Sequence, residues 1–305
     1  MRPARRGSHD GPRWGPGTVP CRALAAAALA LGGLACARPA PPPGPMASAL
    51  VAVAAELGGE AGQGREAWSA LEALAARVKA RHRGGPPGVD DLRAVVFEDD
   101  KFQREIDSDD PRFFVLSSVL AARRGSCLGL GALMLALGER VGVPLDGIMV
   151  PGHFFVRTRE SPARNLELLR AGEAMPDDWY RTKYGPWPSG SAEYFRPLDA
   201  VEVAGVHWFN AGNFLRRQGD LTAAAAAFAR AAEAFPAFAE AHASLGAVEQ
   251  LQGELPAAAV AYDRAARVRP DLPGLQRNRA LLQQQLTLLS VDGPVPDALP
   301  PDTRR

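Results

Sequence analysis

Cys127 is placed where a cysteine can act as a nucleophile. It follows Gly125 and Ser126 and precedes residues 128–137, an apolar run with helical spacing that extends to a stop at Gly142. This pattern predicts a helix that begins at the cysteine. Free N–H groups and the helix dipole favour negative charge at a helix start, so the position suits a thiolate.

His153 is the histidine best placed to act as the base that such a nucleophile needs. Residues 148–158 predict two strands joined by a Pro-Gly turn, with His153 early in the second strand, and residues 165–169 predict a returning strand. Asn165 and Glu167 share one face of that strand, because side chains alternate along it. Either side chain could reach the imidazole and orient it, which is the third role in such a triad.

A structural role is the commoner explanation for residues of these types at this spacing. A cysteine in a leucine-rich helix is more often part of the core than catalytic, and a strand histidine is often only hydrogen-bonded. The remaining histidines lie in the leader, at a basic helix end or further along the chain, where we expect structural or exposed roles; they are His9, His82, His207 and His242. Spacing alone therefore leaves both a nucleophile and an inert thiol open.

The composition excludes some classes of function. The 305 residues carry a formal net charge of +1, so no basic surplus indicates a nucleic-acid partner. The acidic groups at 98–100 and 107–110 invite a calcium site, but the second lacks the glycine and the distal glutamate of a helix-loop-helix calcium loop. We expect solvated loops or helix caps there, and neither a metal nor a cofactor.

The N-terminal segment predicts export. A basic lead precedes an apolar stretch at 23–35, which is too short to span a membrane and typical of a secretory signal over residues 1–36. It ends in Cys36, and the preceding residues are similar to a bacterial lipoprotein cleavage site except for Gly33, where leucine is usual. A plain signal peptide cut near Ala35 or Ala37 is the alternative.

Lipidation at Cys36 would place the protein in the periplasm or cell envelope, with the lipid anchor as its only membrane contact. The proline-rich stretch at 37–45 would then act as an extended tether. Cys21 lies within the signal, so Cys127 would be the only free thiol of the mature chain and no intramolecular disulfide could form. Cys127 is then either part of the core or reactive.

The middle of the chain mixes helical and β patterns. Residues 46 to about 83 have helical spacing, and the Gly-Pro cluster at 84–88 ends that stretch. A second helical pattern starts at Leu92, and the apolar residues 113–120 predict a buried helix or strand before Cys127.

The C-terminal part has an internal repeat of 34 residues. The equivalent pairs are Gly219 and Gly253, Phe228 and Tyr262, and Pro236 and Pro270. This period, with small residues at helix crossings and a terminal proline, is the tetratricopeptide pattern. We predict two repeats and a capping helix over 205–289, packed on the preceding domain because two repeats are too few to stand alone. Residues 290–305 are expected to be a disordered tail.

Several of these segments together resemble the transglutaminase-like superfamily. They are SVLAARRGSCL at 118–128, ALGERVGVPL at 136–145, VPGHFFVR at 150–157, Asn165-Leu-Glu167, Gly172 and Trp179-Tyr180. An Arg-Arg-Gly-X-Cys segment followed by Pro-Gly-His-Phe is a fairly specific combination. The resemblance covers about residues 90–290 and is greatest to a bacterial branch in which such a domain precedes tetratricopeptide repeats.

The resemblance implies an α+β, papain-like domain over 46–200, followed by the all-α repeats. By this resemblance Cys127 matches the nucleophile, His153 the base and Glu167 the orienting acid, a position at which the superfamily more often has aspartate. The implied activity is acyl transfer, of the peptidase or amidase type or of the transglutaminase type, with repeats that bind a protein or peptide partner. The alternative is a non-catalytic scaffold that uses both parts for binding.

Overall fold

A computed structural model describes residues 44–57, 63–82, 84–106, 110–187 and 191–291. The predicted signal peptide, Cys36 and nearly all of the predicted tether lie outside these residues, as does the predicted tail from residue 292 onward. No helix of the described segments is long and apolar enough to cross a membrane.

The described chain combines many helices with a small sheet. The helices are α1 (Pro45–Glu56), α2 (Gln63–Arg81), α3 (Val89–Arg93), α4 (Pro111–Phe114), α5 (Leu116–Ala122), α6 (Cys127–Val141), α7 (Asp177–Tyr184), α8 (Ala200–Arg217), α9 (Leu221–Ala234), α10 (Ala239–Leu251), α11 (Leu255–Val268) and α12 (Leu275–Val291). The strands are β1 (Gln103–Arg104), β2 (Arg124–Gly125), β3 (Leu145–Val150), β4 (His153–Thr158), β5 (Asn165–Glu167), β6 (Glu173–Met175) and β7 (Pro197–Leu198). A π-helical turn at Ala94–Asp99 and a 3-10 turn at Leu168–Arg170 complete the described elements.

The main sheet is antiparallel, with strand order β6-β5-β4-β3-β7, and β1 and β2 form a separate parallel pair. The β3–β4 hairpin pairs Val150 with His153 across a two-residue turn, in which Gly152 has a φ of +69°. Glycine adopts this conformation without the steric cost that a side chain would add. The hairpin and the returning strand occur where the sequence pattern predicts them, although the returning strand ends at Glu167.

Helix α6 packs closely on the central strands through glycines. A Cβ atom on Gly131 would lie 2.7 Å from the Phe154 ring, and one on Gly147 would lie 2.6 Å from the same ring. Phe154 itself is 2 % exposed. The aromatic ring therefore fills a space that exists because both neighbours lack a side chain, and it sets the distance between α6 and β4.

Both ends of α6 are defined by local chemistry. Ser126 is the N-cap, and its Oγ accepts a hydrogen bond from the Gly129 N–H at 3.3 Å. A Cβ atom on Gly129 would overlap the Phe113 carbonyl oxygen, so the first turn can approach α4 only with glycine there. Gly142, with a φ of +80°, ends the helix in the left-handed conformation typical of helix C-termini.

The N-terminal helical pattern forms two helices, where the sequence spacing predicted one stretch. The sequence between α1 and α2 contains three glycines, which disfavour a continuous helix. Helix α1 is held by Glu139 of α6, whose carboxylate accepts hydrogen bonds from the Met46 and Ala47 N–H groups at 3.1 and 3.0 Å. This places negative charge at the N-terminus of α1, where it is favourable.

The described members of the acidic groups serve as ion-pair partners and caps, whereas residues 107–109 lie outside the described residues. Asp99 accepts hydrogen bonds from Arg81, Glu98 accepts one from Arg93, and Asp110 caps α4 through the Arg112 N–H. The apolar segment before Cys127 forms the two short helices α4 and α5.

The C-terminal region is all-helical and repeats its contacts after 34 residues. A Cβ atom on Gly212 would lie 2.7 Å from the Phe228 ring, and one on Gly246 would lie 2.8 Å from the Tyr262 ring. In each pair a glycine of one helix lets an aromatic residue of the next pack against its backbone. The α8–α9 and α10–α11 pairs are therefore built from equivalent contacts.

A continuous core joins the sheet-containing part to the first of these helical pairs. Buried apolar residues run without interruption from Ala47 through Leu133 and Phe154 to Val206, Phe235 and Ala241. Helices α10 to α12 add a separate cluster around Tyr262. The described residues from Gly44 onward fall within one compact unit.

Phe228 should be essential to the helical region, because its ring is fully buried against Gly212. Phe228→Ala should lower the free energy of unfolding by about 3–5 kcal/mol, since the cavity cannot be refilled by neighbouring backbone. Leu251→Ala is the control, because Leu251 is 66 % exposed, and should change it by less than about 0.5 kcal/mol. Urea denaturation measures both; equal effects would contradict this packing.

Candidate active site

Cys127 is the first residue of α6 and is half-buried. The Gly129 and Leu130 N–H groups are bonded to the Ser126 hydroxyl and carbonyl oxygens. Within the described part of the chain, the Cys127 and Leu128 N–H groups donate no backbone hydrogen bond. Free amides beside a sulfur can hold a negatively charged oxygen that develops on a carbonyl under attack.

His153 lies at the start of β4, next to the N-terminus of α6, and its side chain is 3 % exposed. Its Nε2 lies 2.8 Å from the Glu167 Oε2. Cys127 and His153 line the same cavity, and the proximity of Cys127 raises the pKa of the imidazole. The three predicted residues are therefore brought together in the order cysteine, histidine, glutamate.

Both carboxylate oxygens of Glu167 have hydrogen-bond partners. Oε2 contacts His153, and Oε1 accepts a hydrogen bond from the Leu169 N–H at 3.1 Å, at the turn that follows β5. The side chain is 1 % exposed. A carboxylate bound in this way has little freedom to rotate, so it fixes the plane and the position of the imidazole.

Asn165, the other residue on that strand face, makes its hydrogen bonds to residues other than His153. Its Oδ1 accepts a hydrogen bond from the Arg157 Nε at 2.6 Å, and its Nδ2 donates to the Met175 carbonyl and to Asp177. These contacts tie β5 to β4, β6 and the start of α7. The partner of His153 is therefore Glu167, and Asn165 supports the strand that carries it.

The surroundings of His153 keep it protonated at neutral pH. Burial lowers its pKa, but the hydrogen bonds and negative charges of Cys127 and Glu167 outweigh burial and raise the pKa to about 9. An imidazolium that has a cysteine on one side and a carboxylate on the other is an arrangement in which a thiol can act as a nucleophile.

An aromatic layer covers the imidazole. The Tyr184 ring stacks on His153 with centroids 4.4 Å apart and planes 5° from parallel. Tyr180, four residues earlier on α7, stacks on Phe155 at 3.8 Å. Burial and the Glu167 charge both raise the pKa of Tyr180, so its hydroxyl stays neutral.

Sequence reasoning noted the Trp179-Tyr180 pair but missed Tyr184. The i, i+4 spacing of the two tyrosines on one helix was the available signal, since residues so spaced share a face. It could not show which element the face would cover.

The other described histidines have backbone or ion-pair partners. His207 Nδ1 lies 2.9 Å from the Val203 carbonyl oxygen, and burial lowers its pKa to about 4. His242 Nε2 lies 3.0 Å from the Pro236 carbonyl, and His82 contacts Asp91. No group of three or more His, Cys, Asp and Glu side chains among the described residues is arranged to hold a metal ion.

A cavity of about 150 Å³ opens beside the sulfur and the imidazole. Its near wall includes Cys127, His153 and Met149. Its far wall is formed by Tyr194 and by residues at α8 and at the start of α10, namely Val206, Phe209, Asn210, Phe238 and Glu240. The helical region therefore completes the site. A repeat pattern cannot predict this, because it does not define how the repeats pack on the domain before them.

Comparison with known proteins identifies the domain that carries these residues. Residues 65–204 match the family model described as the transglutaminase-like superfamily. A crystal structure of menin, described as revealing its binding site for Mixed Lineage Leukemia (MLL) protein, gives a TM-score of 0.36 at 13% identity, over 76% of this chain and 72% of menin's.

Two curated relatives from Xylella fastidiosa, both called UPF0162 protein, are similar to parts of the chain. The protein of strain Temecula1 is 29% identical over 93 residues, which are 30% of this chain and 33% of the relative. The protein of strain 9a5c is 42% identical over 48 residues, which are 16% of this chain and 17% of the relative. The chain thus spans about a third of the first relative's length and about a sixth of the second's.

The range matched by the family model begins in α2 and ends in α8. It contains the helix that starts at Cys127, the hairpin that carries His153 and the strand that ends at Glu167. Residues 65–204 therefore form a domain of the transglutaminase-like superfamily.

Proposed function

We propose that the protein is an acyl-transfer enzyme in which Cys127 is the nucleophile, His153 the general acid and base, and Glu167 the group that orients the histidine. The observation that carries this proposal is the buried contact of 2.8 Å between His153 Nε2 and Glu167 Oε2, beside a cavity that Cys127 also lines from the start of α6. A structural cysteine needs neither a buried imidazolium nor a carboxylate behind it.

In the first half of the reaction, the Cys127 thiolate attacks the carbonyl carbon of an amide or ester. The C–S bond forms while the carbonyl oxygen takes up the negative charge, which the Cys127 and Leu128 N–H groups stabilise. Collapse of this intermediate breaks the bond to the leaving group. The His153 imidazolium gives its proton to the departing amine or alcohol, and an acyl thioester remains on the sulfur.

In the second half, a water molecule or an amine attacks the thioester, and neutral His153 takes its proton. The C–S bond breaks and the thiolate–imidazolium pair is restored. Water as acceptor gives peptidase or amidase activity, and an amine as acceptor gives transglutaminase activity. The same side chains serve both outcomes, so the proposal covers acyl transfer of either type.

We further propose that the 34-residue units of the C-terminal region are tetratricopeptide repeats that bind a protein or peptide partner. Support comes from the equivalent Gly212–Phe228 and Gly246–Tyr262 contacts of the two helical pairs. Export to the cell envelope with a lipid on Cys36 is proposed from the leader sequence alone.

Cys127→Ala should abolish covalent labelling by an electrophilic acyl probe while leaving the fold almost unchanged, because Cys127 is only half-buried and lies at a helix end. His153→Ala should slow labelling of Cys127 at neutral pH, since the thiolate loses its ion-pair partner. Intact-mass spectrometry under native conditions measures both rates.

Asn165→Ala is the matched control, because Asn165 lies on the same strand face without contacting the imidazole. It should slow labelling less than Glu167→Gln does. Labelling that occurs only in denaturant, with no effect of His153→Ala, would instead support a non-catalytic scaffold.

The pKa of His153 should respond to each of its neighbours. In the wild-type protein the imidazole should titrate at about 9, and acyl transfer should fall as the pH rises through that value, because the leaving group loses its proton donor. Cys127→Ala or Glu167→Gln should each lower this pKa, and the double variant should bring it below 6.5, where burial is the dominant influence. Imidazole nitrogen chemical shifts followed by NMR measure it; an unchanged pKa would refute the triad.

The leader should direct lipidation. When the full chain is expressed in a bacterium, the wild-type protein should partition into detergent, and Cys36→Ser should release it into the soluble fraction. Cys21→Ser is the matched control and should leave partitioning unchanged. Soluble wild-type protein with a free N-terminus at Ala37 would show that the leader is an ordinary signal peptide.

A further inference from the structure

The far wall of the cavity carries a carboxylate that the proposed reaction does not use. Glu240, in the first turn of α10, lines the same cavity as Cys127 and His153. Its Oε1 accepts hydrogen bonds from the Tyr194 hydroxyl and from Arg269 Nη2. Its Oε2 is buried and has no hydrogen-bond partner among the described residues.

Arg269, which donates a hydrogen bond to Glu240, also binds a second carboxylate. Arg269 Nη1 donates to Glu193 Oε1 at 2.7 Å, and the Glu193 side chain is 1 % exposed. Burial raises the pKa of Glu193, and the Arg269 charge opposes that effect. Burial also raises the pKa of Tyr194, which therefore contributes a neutral hydroxyl. One guanidinium thus contacts two carboxylates, and the second oxygen of Glu240 keeps no partner among the described residues.

The cavity that Glu240 shares with Cys127 is lined mainly by apolar side chains, with Asn210 and Tyr194 among the polar ones. Met149, Val206, Phe209 and Phe238 line it, and its volume is about 150 Å³. A cavity of roughly that size holds a benzene-sized ligand, or about six non-hydrogen atoms. An aliphatic chain of four or five atoms would pack against the apolar side chains of the cavity. A positive charge at the end of that chain would be attracted to the Glu240 carboxylate.

We propose that this cavity selects substrates in which a short aliphatic chain with a terminal cation lies next to the carbonyl under attack, and that Glu240 is the residue that recognises the cation. This inference rests on the proposed role of Cys127. It gives the helical region a direct part in substrate choice, since α10 supplies the carboxylate and α8 supplies apolar wall.

Two chloroacetamides of matched length test the inference. N-(4-aminobutyl)-2-chloroacetamide carries the cation, and N-pentyl-2-chloroacetamide is its neutral counterpart; in both, the C–S bond forms on Cys127 as chloride leaves. Rates are divided by those with free glutathione. In the wild-type protein we expect the cationic reagent to label Cys127 about tenfold faster than the neutral one, as for a hydrogen bond to a charged group.

Glu240→Gln should reduce this preference to about one, and Glu233→Gln should leave it unchanged. Glu233 is the matched control, because it is an exposed glutamate of the same helical region outside the cavity. Raising NaCl from 0.1 to 1 M should also weaken the wild-type preference, and this measurement does not depend on any variant folding.

The outcomes separate the two proposals. Labelling of wild-type Cys127 at equal normalised rates by both reagents would overturn the role of Glu240 and leave the nucleophile in place. A preference that persists in folded Glu240→Gln would do the same. If neither reagent nor iodoacetamide labels the native protein, the proposed nucleophile fails and the inference fails with it.

Discussion

The contact between α6 and β4 is the constraint on which the site depends. Phe154 fits against the backbone of Gly131 and Gly147, so the helix lies closer to the sheet than any larger residue would allow. Cys127 starts that helix and His153 precedes Phe154 on that strand. The same packing that forms the core therefore brings sulfur and imidazole together, and a bulkier residue at Gly131 would separate them while leaving each element intact.

The contacts around the imidazole then determine the pKa of His153. Glu167 is held through both oxygens, and Tyr184 covers the imidazole face. The result is a buried histidine whose pKa rises, although burial alone would lower it. His153 and Glu167 can both be charged while buried, because each is the ion-pair partner of the other across adjacent strands.

Much of the sheet-containing part could be predicted from the sequence, because its signals are local. Apolar runs on both sides of a Pro-Gly turn predicted the strands, and a glycine–serine start followed by leucine spacing predicted α6. Strand alternation alone left Asn165 and Glu167 open, since both occupy one strand face, and only the family resemblance favoured Glu167. The structure gives Asn165 other partners, Arg157 and Asp177. The cavity wall could not be predicted either, because it depends on the packing of α8 and α10 against residues far away in sequence.

The core that runs without interruption from α1 into α9 and the start of α10 has a consequence for how the cavity can change over evolutionary time. One wall carries the reacting groups, whereas the other includes Asn210 and Glu240, which lie outside that core and can be exchanged without changing its packing. Sequence divergence on α8 and α10 would then alter the shape and charge presented to a ligand without disturbing the α6–β4 contact. New preferences can arise by substitution alone, with no loop to be inserted and no domain to be reoriented.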